Sequence, residues 1–402
     1  MGTHDAAGPA VPSLYTPFRD PHRQIRLLQI TSEGLSSLSM KIVNLEDAYD
    51  DYAALSYQWG TDDDLKAITI DDYQTLVRPN LYNFLDAICG HVRRNWRAEM
   101  PLTAEAKNNC GNTEDDETVK LAGNKYFWVD ALCINQSSAA ERGAQVSVMG
   151  QIYQGASIVL VYLGGTEMDP AMQRYLETRP TVVVRVAAAA NSGLVEAARN
   201  DEMLRPLVES PYWRRLWIIQ EFAVARFLVF VSPGFHVPFS GPSGLRGSIG
   251  PSRKAWLQYK EATRRASSVI GSRGKYRRST YQGVKGLVSL MEEHSNAECA
   301  DPRDRVYGLL ALVGRDDHNS TGFELVPDYN ISPAQLAEQL VQLLEEDFEG
   351  STKGKDVWYT DWRVDLLYRL RTIVYDRFKW DQEWAKEIPQ TISGHIRQAG
   401  AA

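Results

Sequence analysis

Apolar and polar positions follow two different rhythms along the chain, and the change between them marks its organisation. From "IRLLQI" onward, short apolar runs are separated by polar turns: "KIVNL", then "YAALSYQWG", then "AITIDDYQTLV", which predicts a β-hairpin around Asp71, Asp72 and Tyr73. In "RPNLYNFLDAICGHVRRNW" the period lengthens to that of a helix, with Leu81, Leu85, Ile88 and Val92 on one side and Pro79 and Asn80 at its entry. Residues 98–124 are polar and acidic with little to bury, the pattern of a loop inserted before the next element. "YFWVDALCI" is a continuous apolar run, as expected of a strand covered on both faces. Ser138 and Glu141 then make an S-x-x-E capping box ahead of a helix whose buried stripe is Val146, Met149, Ile152 and Tyr153. "SIVLVYLG" is a second buried strand. Strand, helix and strand in succession form a βαβ unit, whose strands must run parallel, so this part of the chain is α/β.

Beyond it the pattern turns helical. Ser210 and Pro211 predict the start of a helix carrying Trp213, Leu216, Trp217, Gln220, Glu221 and Val224 along one side. That places a carboxylate on a face that should be buried, where an unpaired charge is costly. "FLVFV" adds one more strand. Asp301 and Pro302 predict a helix with Val306, Leu309, Leu310 and Val313 on one face, and Ser332 and Pro333 begin another. The expected architecture is therefore a mostly parallel sheet with flanking helices over residues 24–231, followed by a mainly helical C-terminal region, 232–402. Residues 1–23, rich in Pro, Gly and Ala without a period, are expected as a flexible arm.

Composition narrows the function classes. With 402 residues and 44% hydrophobic content the chain has ample material for a core. No apolar stretch approaches the ~20 residues of a membrane span, and the start lacks a basic flank followed by an apolar block. A cytoplasmic protein is expected. Cys89, Cys110, Cys133 and Cys299 form no CxxC pair, and the histidines form no HxxxH or HExxH, so no metal site is legible from spacing. Neither GxGxxG nor GxxxxGK[ST] occurs, so no cofactor motif is present. A net charge of −7 argues against wholesale nucleic-acid binding. Against that balance, residues 252–280 hold nine Lys or Arg and one Glu, with Trp256, Tyr259 and Tyr276 interleaved: a surface for an anionic partner, or a solvated helix face that docks on the acidic insert.

Candidate chemistry follows from the α/β pattern, because ligands sit beyond the carboxyl ends of parallel strands. Asp130, Cys133, Asn135 and Gln136 follow "FWV", while Ser56, Tyr57, Trp59 and Gly60 follow "YAAL". Asn and Gln side chains there would hold a ribose or an amide, and Trp59 would stack on a ring. The competing assignment has Asp130 and Asn135 capping loop backbone and Trp59 filling core. Cys133 has no histidine near it in sequence to activate a thiolate. Glu141 is accounted for by its capping box, and Arg142 is placed to pair with an acid across the joint. Glu221 is the acid whose helical spacing puts it among Trp213 and Trp217. Burial there would raise its pKa toward catalytic usefulness, and the same position suits an ion pair with Arg215 or Arg142.

Five blocks, "YAALSYQWG" (52–60), "WVDALCINQ" (128–136), "ERGAQVSVMGQIYQGASIVLVYLG" (141–164), "WRRLWIIQE" (213–221) and "DPRDRVYGLLAL" (301–312), occur in an order that resembles the fungal heterokaryon incompatibility (HET) domain family. "VPDYNISPAQLAEQL" is similar to that family's C-terminal extension. The resemblance implies an intracellular protein of fungal nonself recognition and programmed cell death, acting through a protein partner or self-association. It also implies a flavodoxin-like fold related to TIR domains, some of which cleave NAD+ with a glutamate. NAD+ is then the substrate to test, with Glu221 as first carboxylate, Glu141 and Asp130 behind it, and Arg142 and Trp217 among the ligand contacts. Two other classes remain open. Members beside secondary-metabolite genes imply a pathway enzyme with a small-molecule ligand, and a non-enzymatic interaction module would show a flat exposed patch. The chain carries no ankyrin, WD or nucleotide-binding region of the kind found in long incompatibility proteins.

Overall fold

The computed structural model describes residues 14–30, 34–93, 126–164, 210–232, 235–238, 265, 268–269, 271–273, 275–276, 281–314, 325–351, 369–370 and 373. The elements of the first half are β1 (Gln24–Gln29), β2 (Ser39–Asn44), β3 (Ala53–Tyr57), β4 (Lys66–Ile70), β5 (Tyr73–Val77), α1 (Pro79–Arg93), β6 (Tyr126–Trp128), α2 (Asp130–Cys133), α3 (Ala139–Gly155) and β7 (Ile158–Tyr162). A 3-10 turn at Pro211–Arg214, α4 (Trp217–Val224), β8 (Leu228–Ser232) and β9 (Phe235–Pro238) follow. Seven strands form one sheet in the order β2-β1-β6-β3-β7-β8-β9. β6, β3, β7 and β8 are mutually parallel, and β1 and β9 run against their neighbours, so five of the seven strands point the same way. The fold is α/β with a mostly parallel sheet. The predicted hairpin forms a separate ladder of β4 and β5, turned by Asp71 and Asp72 at φ 47° and 69°. The short Asp side chain tolerates that left-handed backbone.

The βαβ unit is β6, α3 and β7, whose strands pair with the two sides of β3. The chain therefore leaves β3 toward β6, returns over it to β7, and continues outward to β8. Successive connections diverge between β3 and β7, the position at whose carboxyl ends open α/β sheets bind ligands. One face of the sheet is covered by α1, where Phe84 stacks on Tyr162 at 5.0 Å and meets Tyr57 at 6.1 Å. The other is covered by α3 and α4, with Tyr153 edge-on to Trp128 at 5.4 Å. Every residue of β3 and β7 is buried. Each buried aliphatic or aromatic side chain contributes about 1.5–3 kcal/mol, so Ser56 in β3 is a polar intrusion whose hydroxyl needs partners.

Three expected elements are broken in the structure, each for a local reason. "YFWVDALCI" is not one strand: β6 ends at Trp128, and Leu132 and Cys133 N–H groups turn back to Val129 O in α2. An apolar run alone does not separate strand from buried helical turn. The helix expected from Ser210 is split, with Ser210 capping the 3-10 turn and Arg215 extended at ψ 137° before α4 begins. Here the backbone of Arg214 and Leu216 bonds to Glu298 instead of continuing a helix. The helix expected from Asp301 is reduced to α6 (Asp304–Tyr307) and a 3-10 turn at Leu310–Leu312.

The described C-terminal elements also include α5 (Gly283–Glu293) and α7 (Pro333–Ser351). Ser332 opens α7 with a reciprocal box to Gln335, at 3.1 and 2.7 Å. The sheet itself extends past the expected boundary at 231, because β9 pairs with β8. Of the arm 1–23, residues 14–23 are described and held: Arg26 donates to Thr16 O at 2.7 Å, and Gln145 donates to Pro21 O at 2.7 Å. The acidic insert 98–124 lies outside the described residues, as does most of the basic segment 252–280. Among the described residues no helix is long and apolar enough to cross a membrane.

Candidate functional site

The carboxyl ends of β3 and β6 bring together residues from four segments. Trp59 donates its indole N–H to Asp130 Oδ2 at 2.9 Å, so the loops after the two parallel strands are tied to each other. Arg215 donates to the Tyr57 carbonyl and lies 4.0 Å from Asp130 Oδ2. Arg78 sits 5.1 Å over the Trp59 ring and bonds Asp62 at 2.5 Å. Gly60 has φ +76°, and a Cβ there would lie 2.9 Å from the Asn80 amide, which donates to Gln58 O at 3.1 Å. The left-handed backbone favours a glycine here, and a Cβ would also displace the Asn80 amide from its bond. Gln136 donates to Asp130 O at 2.8 Å and lines the exposed side.

Beneath this rim lies a buried polar chain. Ser56 Oγ donates to Glu221 Oε2 at 2.5 Å and lies 2.7 Å from the Tyr212 hydroxyl. Tyr153, from α3, donates to Leu55 O at 3.0 Å beside them. The Ser56 hydroxyl thus finds partners in both directions, which offsets its burial. Glu221 is 1% exposed. Burial pushes its carboxyl up to about 7, with Arg215 pulling down, Asp130 pushing up, and the neighbouring Ser56 and Tyr153 hydroxyls pulling down. Burial likewise raises Asp130, opposed by Arg215 and by the Trp59 hydrogen bond. Two carboxyls at different depths therefore share the influence of one guanidinium. The deeper one gains or loses its proton near neutrality, where a general acid or base is most effective.

The other sequence candidates lie elsewhere. Cys133 is buried in the core, accepts from Val129 N at 3.4 Å, and burial pushes its thiol up to about 12, which suppresses the thiolate. Asn135 caps its own loop, accepting from Ser137 Oγ at 2.6 Å. Ser138 accepts from Glu141 N at 3.2 Å, but the Glu141 carboxylate turns away from the capping box to Arg26, at 2.5 and 3.1 Å. Arg142 faces Asp301 at 3.6 Å and stacks on Tyr329 at 3.8 Å. Trp217 donates to Asp304 Oδ2 at 3.1 Å. Glu221 has neither arginine in direct contact; Arg215 acts on it at longer range.

Sequence reasoning does not reach Tyr212, Tyr153 or Arg78, and it reaches Arg215 only as an ion-pair partner for Glu221. A guanidinium inside the apolar run "WRRLWIIQE" was the available signal for Arg215. Tyr153 was legible only as core. Among the described residues no group of three His, Cys, Asp or Glu is placed to hold a metal ion. A separate cleft of about 540 Å³, lined by Gly143, Leu325, Gln342 and Leu343 among others, lies between α3 and α7 and includes none of the rim residues.

Comparison with known proteins follows the same boundaries. The model of the family described as heterokaryon incompatibility protein (HET) matches residues 52–221, from the residue before β3 to Glu221. Heterokaryon incompatibility protein 6, OR allele, of Neurospora crassa is 24% identical over 411 aligned positions, covering 85% of this chain. The chain spans 54% of that relative's length. No solved structure matches it. The stretch that builds the sheet edge is thus the stretch that matches the heterokaryon incompatibility (HET) family model.

Proposed function

We propose that this chain acts in fungal incompatibility-type cell death, and that its HET domain works by cleaving NAD+ at the carboxyl edge of the sheet. The Neurospora relative is named for incompatibility, which supports the biological role. The parallel order β6-β3-β7-β8 corresponds to the 2-1-3-4 order of flavodoxin-like sheets, which supports the likeness to TIR domains. The observation that carries the chemistry is Glu221: a buried carboxyl brought to about 7 beneath Trp59, Asp130 and Arg215.

In the proposed reaction the bond between C1′ of the ribose and the nicotinamide nitrogen breaks. Nicotinamide leaves with the electron pair, water adds at C1′, and one proton is released. The oxocarbenium-like state between them needs negative charge beside the sugar and a wall for the ring. Asp130 supplies charge at the rim and Trp59 the wall, while Glu221 takes up the proton from below. Glu141 has no place in this scheme because Arg26 holds it.

The test is induced expression in a fungal host, following viability and cellular NAD+ together, with Glu221→Gln alongside. NAD+ collapse before death, abolished by the substitution, is the expected result. Death with steady NAD+ would remove the reaction and keep the role. Healthy cells with steady NAD+ would remove both.

A further inference from the structure

Helix α4 carries Glu221 but has no side-chain cap of its own, since Leu216 precedes it in helical backbone without a capping hydrogen bond. Its entry is held by a segment some eighty residues further along. Glu298 N–H donates to Arg214 O at 2.6 Å, and Leu216 N–H donates to Glu298 O at 2.9 Å. The Trp217 indole then donates to Asp304 Oδ2 at 3.1 Å, and Tyr329 donates its hydroxyl to Asp304 Oδ1 at 2.7 Å. Asp304 is 8% exposed, so its two oxygens are committed inside the protein. The surroundings are cross-linked as well: Arg303 bonds Asp301 at 2.9 and 2.7 Å and donates to Tyr329 O at 2.6 Å, and Arg142 covers the Tyr329 ring.

The placement of the anchors matters. Arg215 lies between the two residues bridged to Glu298, and Glu221 lies one helical turn beyond Trp217. The cation and the deep acid of the sheet edge therefore hang from the same short segment. We infer that Asp304 is a positioning residue for that site: through the Trp217 indole it fixes the start of α4, and segment 298–304 is the handle by which the C-terminal part of the chain sets Arg215 against Glu221. This rests on the proposed function only in treating the edge as the working site.

The experiment reads Glu221 directly and needs no NAD+. In the full chain the carboxyl is titrated by its infrared carbonyl band, assigned by its loss in Glu221→Gln. Asp304→Ala removes both acceptor oxygens, and Trp217→Phe removes the indole N–H while keeping an aromatic ring. Both are expected to raise the Glu221 midpoint by about half a pH unit or more, because the guanidinium that pulls it down is released. The double variant should shift no further than the larger single one. Tyr52→Phe is the control for general loosening. It removes a buried bond to Ile152 O, 2.5 Å long, at the opposite end of β3, and should lower the melting temperature without moving the midpoint. An unchanged midpoint in both variants overturns the inference. So does an equal shift in Tyr52→Phe, or a fall to the ordinary glutamate range, which would mean the core had opened to water.

Discussion

Arg26 and Arg215 are both guanidinium groups set into the protein beside carboxylates, yet their surroundings differ in kind. Arg26, 1% exposed, has one acid to itself: Glu141 is held by both terminal nitrogens, and the Cys133 and Thr16 carbonyls and the Phe18 ring at 4.0 Å complete its environment. Glu141 also takes the Asn135 N–H at 2.7 Å. Arg215 stands near two acids and closes on neither, with Asp130 at 4.0 Å and Glu221 further off. A closed, bidentate pair is a structural joint that fixes the N-terminal segment to the head of α3. A cation divided between two carboxyls leaves the deeper one able to titrate near neutrality, and that is the difference between a strut and a candidate reaction centre.

Replacing one carboxylate by its amide in each region breaks the comparison most sharply. Glu141→Gln leaves Arg26 buried without a counter-charge and is expected to cost about 3–5 kcal/mol in denaturant melts at neutral pH. Glu221→Gln should have the opposite sign. The folded pKa of Glu221 is raised, so its contribution to stability is fully present below the ordinary glutamate pKa and is lost as pH rises through about 7. The natural chain should therefore lose on the order of 3 kcal/mol across that window, whereas the Gln variant should not, leaving it equal in stability at low pH and more stable above neutrality. Denaturation midpoints against pH for both proteins give the answer. Parallel profiles would mean that Glu221 is ionised and compensated in the same way as Glu141.

The two regions were also unequally legible. β3, β7 and β8 stand out in the sequence because their runs are apolar almost throughout, as strands covered on both faces require, and the βαβ unit follows from them. Glu221 was legible because a charge on an apolar helical face demands an explanation. The Arg26–Glu141 pair was not, since its partners lie 115 positions apart and Glu141 already had a local role in its capping box. The breaks at Arg215 and after Trp128 have different origins. In the first a distant backbone, that of Glu298, takes the hydrogen bonds that would have continued a helix, and in the second a local turn closes on Val129 O within an apolar run that reads as one strand.

A finer distinction comes from Asp130→Asn, whose effect should be the smallest. The amide oxygen can still accept the Trp59 indole, so the tie between the two loops remains, while the charge that pushes Glu221 upward is gone. Its titration midpoint should fall below about 7, and the pH window over which stability is lost should narrow accordingly. Because burial already raises Asp130 itself, ionising it costs the fold something that the amide does not, which offsets the lost attraction to Arg215 at 4.0 Å. Stability at neutral pH should therefore stay within about 1 kcal/mol of the natural chain, well inside the loss expected for Glu141→Gln. A loss as large as that of Glu141→Gln would make Asp130 and Arg215 a closed pair like the first one, and Glu221 would then owe its raised pKa to burial alone.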